Sequence, residues 1–151
     1  LMIVKSLDHL NNISKIISQK LENGDCIVLI GEIGVGKTTF TRYLINNLQN
    51  QKGLKETEVL SPTFNLLYEY EIKDLRIMHY DLYRIKKIDE LNNLRILSDN
   101  KKTIKIIEWP DLIQTSLVNK LEINLEYKTN ENERNLTFKG LGKWKNINNE
   151  V

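Results

Sequence analysis

The sequence predicts a single α/β domain over residues 1–151, with a mixed, mainly parallel central sheet flanked by helices. Three observations lead there. Cys26-Ile27-Val28-Leu29-Ile30 is an unbroken apolar run, the pattern of a strand buried on both faces of a covered sheet. That run passes through a glycine-rich turn into a stretch where Phe40, Leu44, Ile45 and Leu48 recur at helical spacing, so strand and helix follow each other directly. A chain of 151 residues supplies one genuine core and is too short for two.

The elements follow in order. Met2 to Lys5 is short and apolar and reads as an edge strand. From Leu7 to Glu22, residues Leu10, Ile13, Ile16, Ile17 and Leu21 keep helical spacing; Ser6 or Asp8 can cap the start, and Gly24 stands where a C′ glycine would. The second helix ends before Gly53, and a polar connection over 54–60 closes on Ser61-Pro62-Thr63. Phe64 to Ile72 and Leu75 to Tyr80, separated by Lys73-Asp74, read as a hairpin. Ile88, Leu91, Leu94 and Ile96-Leu97 suggest a short helix or two, and Thr103 to Ile107 a buried strand running into Glu108-Trp109-Pro110. Val118 to Tyr127 and Arg134 to Lys139 are the last strands, joined by the polar turn Thr129 to Glu133; the Asn- and Lys-rich tail after about residue 140 is open to fraying.

Composition narrows the function classes. The hydrophobic fraction is 40% and the charged fraction 28%, as in ordinary folded soluble proteins. A net charge of +2 gives no reason to expect a nucleic-acid binder, which would neutralise several phosphates. Cys26 is the single cysteine, so no intrachain disulfide forms, and its place in an apolar run reads as a buried small hydrophobe. No stretch approaches the ~18 apolar residues of a membrane span and no signal-peptide core is visible, so the expected compartment is the cytoplasm.

The chemistry is concentrated in Gly31-Glu32-Ile33-Gly34-Val35-Gly36-Lys37-Thr38, a full match to G-x-x-x-x-G-K-[ST] placed between strand and helix. Gly31 permits a sharp turn off the strand, and Gly34 and Gly36 permit backbone angles that a Cβ would forbid. The loop amides from Ile33 through Thr38 can then face phosphate oxygens, with the helix N-terminus and Thr39 behind them. Lys37 is expected to reach the β- and γ-phosphates, and Thr38 to ligate magnesium. The expected fold is therefore that of a P-loop NTPase, with ATP and Mg2+ as cofactors. A dinucleotide turn is disfavoured because the third glycine position of G-x-G-x-x-G is Thr39.

Such a site needs an acid near the metal, at the end of a strand beside the loop strand. Ile104-Lys105-Ile106-Ile107-Glu108 and Arg76-Ile77-Met78-His79-Tyr80-Asp81 both end in one. Either acid can hold magnesium, directly or through water, and Asp81 can instead orient the attacking water or pair with Arg84. His79 reads as structural, and Thr63 behind Pro62 has the position of a switch threonine. ATP is favoured over GTP by elimination: Asn119-Lys120-Leu121-Glu122 lacks the Asp of N-K-x-D, and no D-x-x-G occurs.

Four segments taken together resemble the TsaE (YjeE) family of bacterial ATPases, which act in making the threonylcarbamoyl modification of tRNA adenosine. They are Gly31 to Phe40, Ser61-Pro62-Thr63-Phe64, His79-Tyr80-Asp81-Leu82-Tyr83-Arg84 and Glu108-Trp109-Pro110, in the family's order and approximate spacing. The resemblance implies Thr38 and Glu108 as magnesium ligands, Lys37, Asp81 and Glu108 as the catalytic set, Thr63 in a switch-like loop, and Trp109 close to the nucleotide. It also implies the partners TsaB and TsaD, with TsaD carrying the transferase site and ATP hydrolysis resetting the complex. Phe64 and Tyr80 are aromatic swaps at positions where the family often has Tyr and Phe. Two other classes compete: a small P-loop kinase, and a nucleotide-gated binding module with little hydrolysis. The kinase lid usually carries several arginines, whereas Arg42, Arg76, Arg84, Arg95 and Arg134 are scattered here.

Overall fold

The computed structural model describes residues 1–96, 101–113 and 119–151. Its strands are β1 (Met2–Val4), β2 (Cys26–Ile30), β3 (Leu67–Ile72), β4 (Leu75–Asp81), β5 (Ile104–Glu108), β6 (Lys120–Tyr127) and β7 (Arg134–Gly140); its α-helices are α1 (Leu7–Ser18) and α2 (Lys37–Gln51). Among the described residues the strands form one sheet in the order β1-β7-β6-β2-β5-β4-β3. The four central strands, β6, β2, β5 and β4, are mutually parallel; β3 pairs antiparallel with β4, β7 with β6, and β1 with β7. The parallel centre sends the C-terminal ends of β2, β4 and β5 to one edge, the place where α/β sheets hold ligands.

The apolar run of β2 is explained by what lies on each side. Ile27 and Leu29 pack with Leu10, Ile13 and Ile17 of α1 and with Phe40, Leu44 and Leu48 of α2. Cys26 and Val28 face the opposite side, with Met78, Tyr80 and Ile107. Both α-helices therefore share one face, tied together by Asn47 Nδ2 donating to Asn11 Oδ1 (3.0 Å) and Ser14 Oγ (2.9 Å). The other face is covered by Leu82, Ile85, Ile96 and Ile113 and by Leu91 of a 3₁₀ turn over Ile88–Leu94. Burial pushes the Cys26 thiol up to about 12, in keeping with an unreactive core residue.

Several local expectations are corrected. Helix α1 starts as expected, with Ser6 Oγ accepting from the His9 N–H at 3.0 Å, but it ends at Ser18 and not at Glu22. Ser18 Oγ bonds back to the Lys15 carbonyl (2.8 Å), a local competitor of helix continuation. Gly24 is no helix cap: at φ 105° it turns the chain into β2 and donates to the Thr103 carbonyl at 2.9 Å. Strand β3 begins at Leu67, three residues later than Phe64, because the Leu66 N–H folds back onto the Pro62 carbonyl (2.6 Å) with Leu66 at φ 68°. The tail after residue 140 packs against the domain. Trp144 and Ile147 are each 1% exposed in the core under the α-helical face, and Lys143 Nζ reaches Asp25 at 2.5 Å. Leu97 and Val118, placed above in a helix and a strand, lie outside the described residues.

Candidate active site

The loop leaving β2 is shaped by what its glycines avoid. A Cβ on Gly31 would stand 2.6 Å from the Leu125 carbonyl oxygen of β6, a backbone atom held in the sheet. Gly34 (φ 81°) and Gly36 (φ 123°) occupy left-handed backbone space. Val35 turns its side chain down into the core while its neighbour Ile33 faces solvent. From the outside, Tyr127 Oη donates to the Ile33 carbonyl and Arg134 Nε to the Val35 carbonyl, both at 3.1 Å, with the guanidinium stacked on the Tyr127 ring at 4.5 Å. The last strand hairpin thus braces the loop's outer edge.

Helix α2 begins directly at Lys37, and no side chain caps it. Its first amides face the cleft with the positive end of the helix dipole, the arrangement that favours an anion. The buried Lys37 Nζ donates to the carbonyls of Gly31 and Glu32 and sits 3.8 Å over the Trp109 ring. Desolvation holds its ammonium below the usual lysine range, while Glu108 and then Asp81 pull it back up.

The opposite wall comes from the ends of β4 and β5, where parallel register sets Asp81 beside Glu108. Asp81, 4% exposed, accepts from Thr63 Oγ1 at 2.9 Å and from the Tyr83 N–H at 3.0 Å. Arg84 is not its partner in this arrangement; the guanidinium lies over the Phe64 ring at 5.5 Å. Glu108, 2% exposed, lies 2.7 Å from His79 Nε2, and its two oxygens stand 3.5 and 3.4 Å from Thr38 Oγ1. That last spacing is longer than a firm charge-assisted O–H···O bond. It leaves oxygen lone pairs for a small hard cation, which takes one or two protein oxygens and completes its shell with phosphate and water.

A cleft of about 280 Å3 separates loop and wall. Ile33, Gly34, Gly36, Lys37, Thr38 and Thr39 line one side; Thr63, Asp81, Glu108 and Trp109 line the other. Val35, grouped with the loop residues above, lies outside this lining, its side chain 3% exposed in the core. Ser61 and Tyr83, which the sequence reading quoted only within motif segments and gave no role, are both on the lining, and His79, read as structural, stands behind it against Glu108. In a strand, residues two apart share a face, so His79 and Asp81 point to the same side of β4. Trp109, at φ 58°, packs its ring 4.7 Å from that of Tyr83 and closes the end of the cleft.

The chain matches the family model of the threonylcarbamoyl adenosine biosynthesis protein TsaE over residues 4–136. It is 34% identical over 135 residues to the tRNA threonylcarbamoyladenosine biosynthesis protein TsaE of Rickettsia felis, covering 89% of this chain and 76% of that protein. Against the protein of the same description from Bacillus subtilis the identity is 32% over 133 residues, covering 86% and 78%. The crystal structure of Bacillus subtilis YdiB superposes with a TM-score of 0.72 at 26% identity, covering 97% of this chain and 88% of that one. A glycine-rich loop facing paired strand-end carboxylates, on a chain with these relatives, belongs to the TsaE family, whose role lies in the biosynthesis of tRNA threonylcarbamoyladenosine.

Proposed function

We propose that this chain is a magnesium-dependent ATP hydrolase that serves a TsaB–TsaD complex in the cytoplasm, touching tRNA indirectly if at all. One observation carries the reading: the Thr38 hydroxyl of the loop and the Glu108 carboxylate of the wall meet within 3.5 Å, with Asp81 beside them across from Lys37. That is a phosphate cradle, a place for a hard cation and a second carboxylate, in one cleft.

The residues divide the work. The amides of the loop and of the first turn of α2 bind phosphate oxygens, and Lys37 leaves the loop carbonyls to neutralise their charge. Thr38 and Glu108 supply the protein oxygens for magnesium. When bound, magnesium would offset charge on the terminal phosphates. Asp81, positioned by Thr63 and the Tyr83 amide, orients the attacking water. Thr63 belongs to the loop that folds back at Leu66, so a contact made there can be passed to the exposed Phe64. No arginine lines the cleft among the described residues, and Arg134 is occupied with the Val35 carbonyl, which favours hydrolysis over kinase chemistry.

The experiment is ATP turnover measured with and without TsaB and TsaD. Strong stimulation by the pair is the expected result. A phosphorylated small molecule accumulating in step with ATP loss would replace this reading with a kinase. ATP retained stoichiometrically, with or without the pair, would leave only a nucleotide-gated binding module.

A further inference from the structure

We infer that His79 is a positioning residue for the metal site, holding Glu108 through Oε2 so that the carboxylate as a whole stays turned toward Thr38 and the cation. The inference rests on the magnesium-ATP reading of the cleft. His79 is fully buried, Glu108 nearly so, and the Nε2 to Oε2 separation is 2.7 Å. A buried carboxylate on a three-torsion side chain needs a partner, both to offset desolvation and to stop it sampling several rotamers. His79 supplies that tie from the neighbouring strand, two residues before Asp81 on the same face.

The ring's other nitrogen identifies the donor. Nδ1 is buried and has no hydrogen-bond partner among the described residues. A neutral ring with its proton on Nδ1 would bury an unpaired N–H and set the Nε2 lone pair against a carboxylate oxygen. With the proton on Nε2, the ring donates to Glu108 and leaves only an acceptor unpaired. Each carboxylate of the wall then has its own holder: Thr63 for Asp81, and His79 for Glu108. Partners of this kind are as much a part of a metal site as its ligands.

The test begins on the metal-free protein. The chain has two histidines, so nitrogen-detected NMR of the imidazoles separates two rings. The buried ring is expected to carry a proton on Nε2; a proton on Nδ1 alone would overturn the inference. Next, ATP affinity is measured by calorimetry in EDTA and at stepped Mg2+ for wild type, His79→Phe, His79→Asn and His79→Gln. The Phe variant is expected to bind ATP like wild type in EDTA, yet to need about 10–100-fold more Mg2+ for the metal-dependent gain. Gln, which keeps an N–H near the Nε2 position, restores most of the loss; Asn, too short to reach Glu108, does not. If the Phe variant fails to fold, the contrast between Gln and Asn decides the matter in the same way. Equal Mg2+ requirements across folded variants would reduce His79 to a core residue. A wild type whose ATP affinity ignores Mg2+ would sink the parent reading together with this one, and it is recognised because the unmutated protein shows it.

Discussion

The two walls of the cleft are built in opposite ways. The phosphate side is eight consecutive residues, Gly31 to Thr38, whose conformation follows from local glycines and from a helix that starts at Lys37. The carboxylate side is assembled from Thr63, His79, Asp81 and Glu108, brought together by the parallel pairing of β4 with β5 and by a turn that folds back at Leu66. The first wall holds charge with backbone; the second aims charge with side chains, each carboxylate fixed by a separate donor. If the proposed function holds, the contrast assigns affinity and turnover to different walls. Under the proposed function, damage to the loop is expected to weaken ATP binding, and damage to the wall to slow hydrolysis of ATP that still binds.

The sharpest way to break that division is at the wall. Asp81→Asn and Glu108→Gln keep shape but remove charge, and each is expected to lower kcat about 100-fold or more while thermal melting of the nucleotide-free protein barely moves. Full turnover in either variant, with unchanged magnesium dependence, would remove that residue from the mechanism. On the loop, Lys37→Ala should weaken ATP binding by about 100-fold in calorimetry, the loss of two charge-assisted bonds to phosphate. Unaltered affinity there would refute the loop assignment. Finer probes sharpen the contrast. Thr63→Val removes one hydroxyl donor from Asp81 and is expected to cut kcat about 5-fold with ATP affinity intact. Tyr127→Phe removes the brace on the Ile33 carbonyl and should weaken ATP affinity by about 3-fold with kcat intact. Swapped outcomes in these last two, affinity lost at Thr63 and turnover lost at Tyr127, would erase the division of labour.

How much of this was legible in the sequence follows the same line. The loop was readable because its signal is contiguous: an apolar strand, spaced glycines, then Lys-Thr opening a helix. Asp81 and Glu108 were readable as strand-end acids, but no local pattern says that they lie side by side; the register of two parallel strands does that. The pairing of His79 with Glu108 could not be read from the sequence because the two are 29 residues apart along the chain. The start of β3 was misplaced because Phe64 reads as a strand residue, while in the structure it is 82% exposed on a turn closed by the Pro62 carbonyl. The packing of the tail was hidden for a related reason. Its polar composition hides Trp144 and Ile147, two anchors that find the core only once β7 has delivered the chain there.

By itself, the sequence determined the elements whose causes are local: the doubly buried strand β2, the amphipathic helices, the glycine-rich loop and the four segments that carry the family resemblance. Tertiary structure alone decided which side chains meet across the cleft, which side chains of the β6–β7 hairpin brace the loop carbonyls, and that both α-helices lie on one face of the sheet. The physical reason is range. Backbone preference and side-chain periodicity act over a few residues, whereas strand register and the burial of remote apolar groups are properties of the folded chain as a whole.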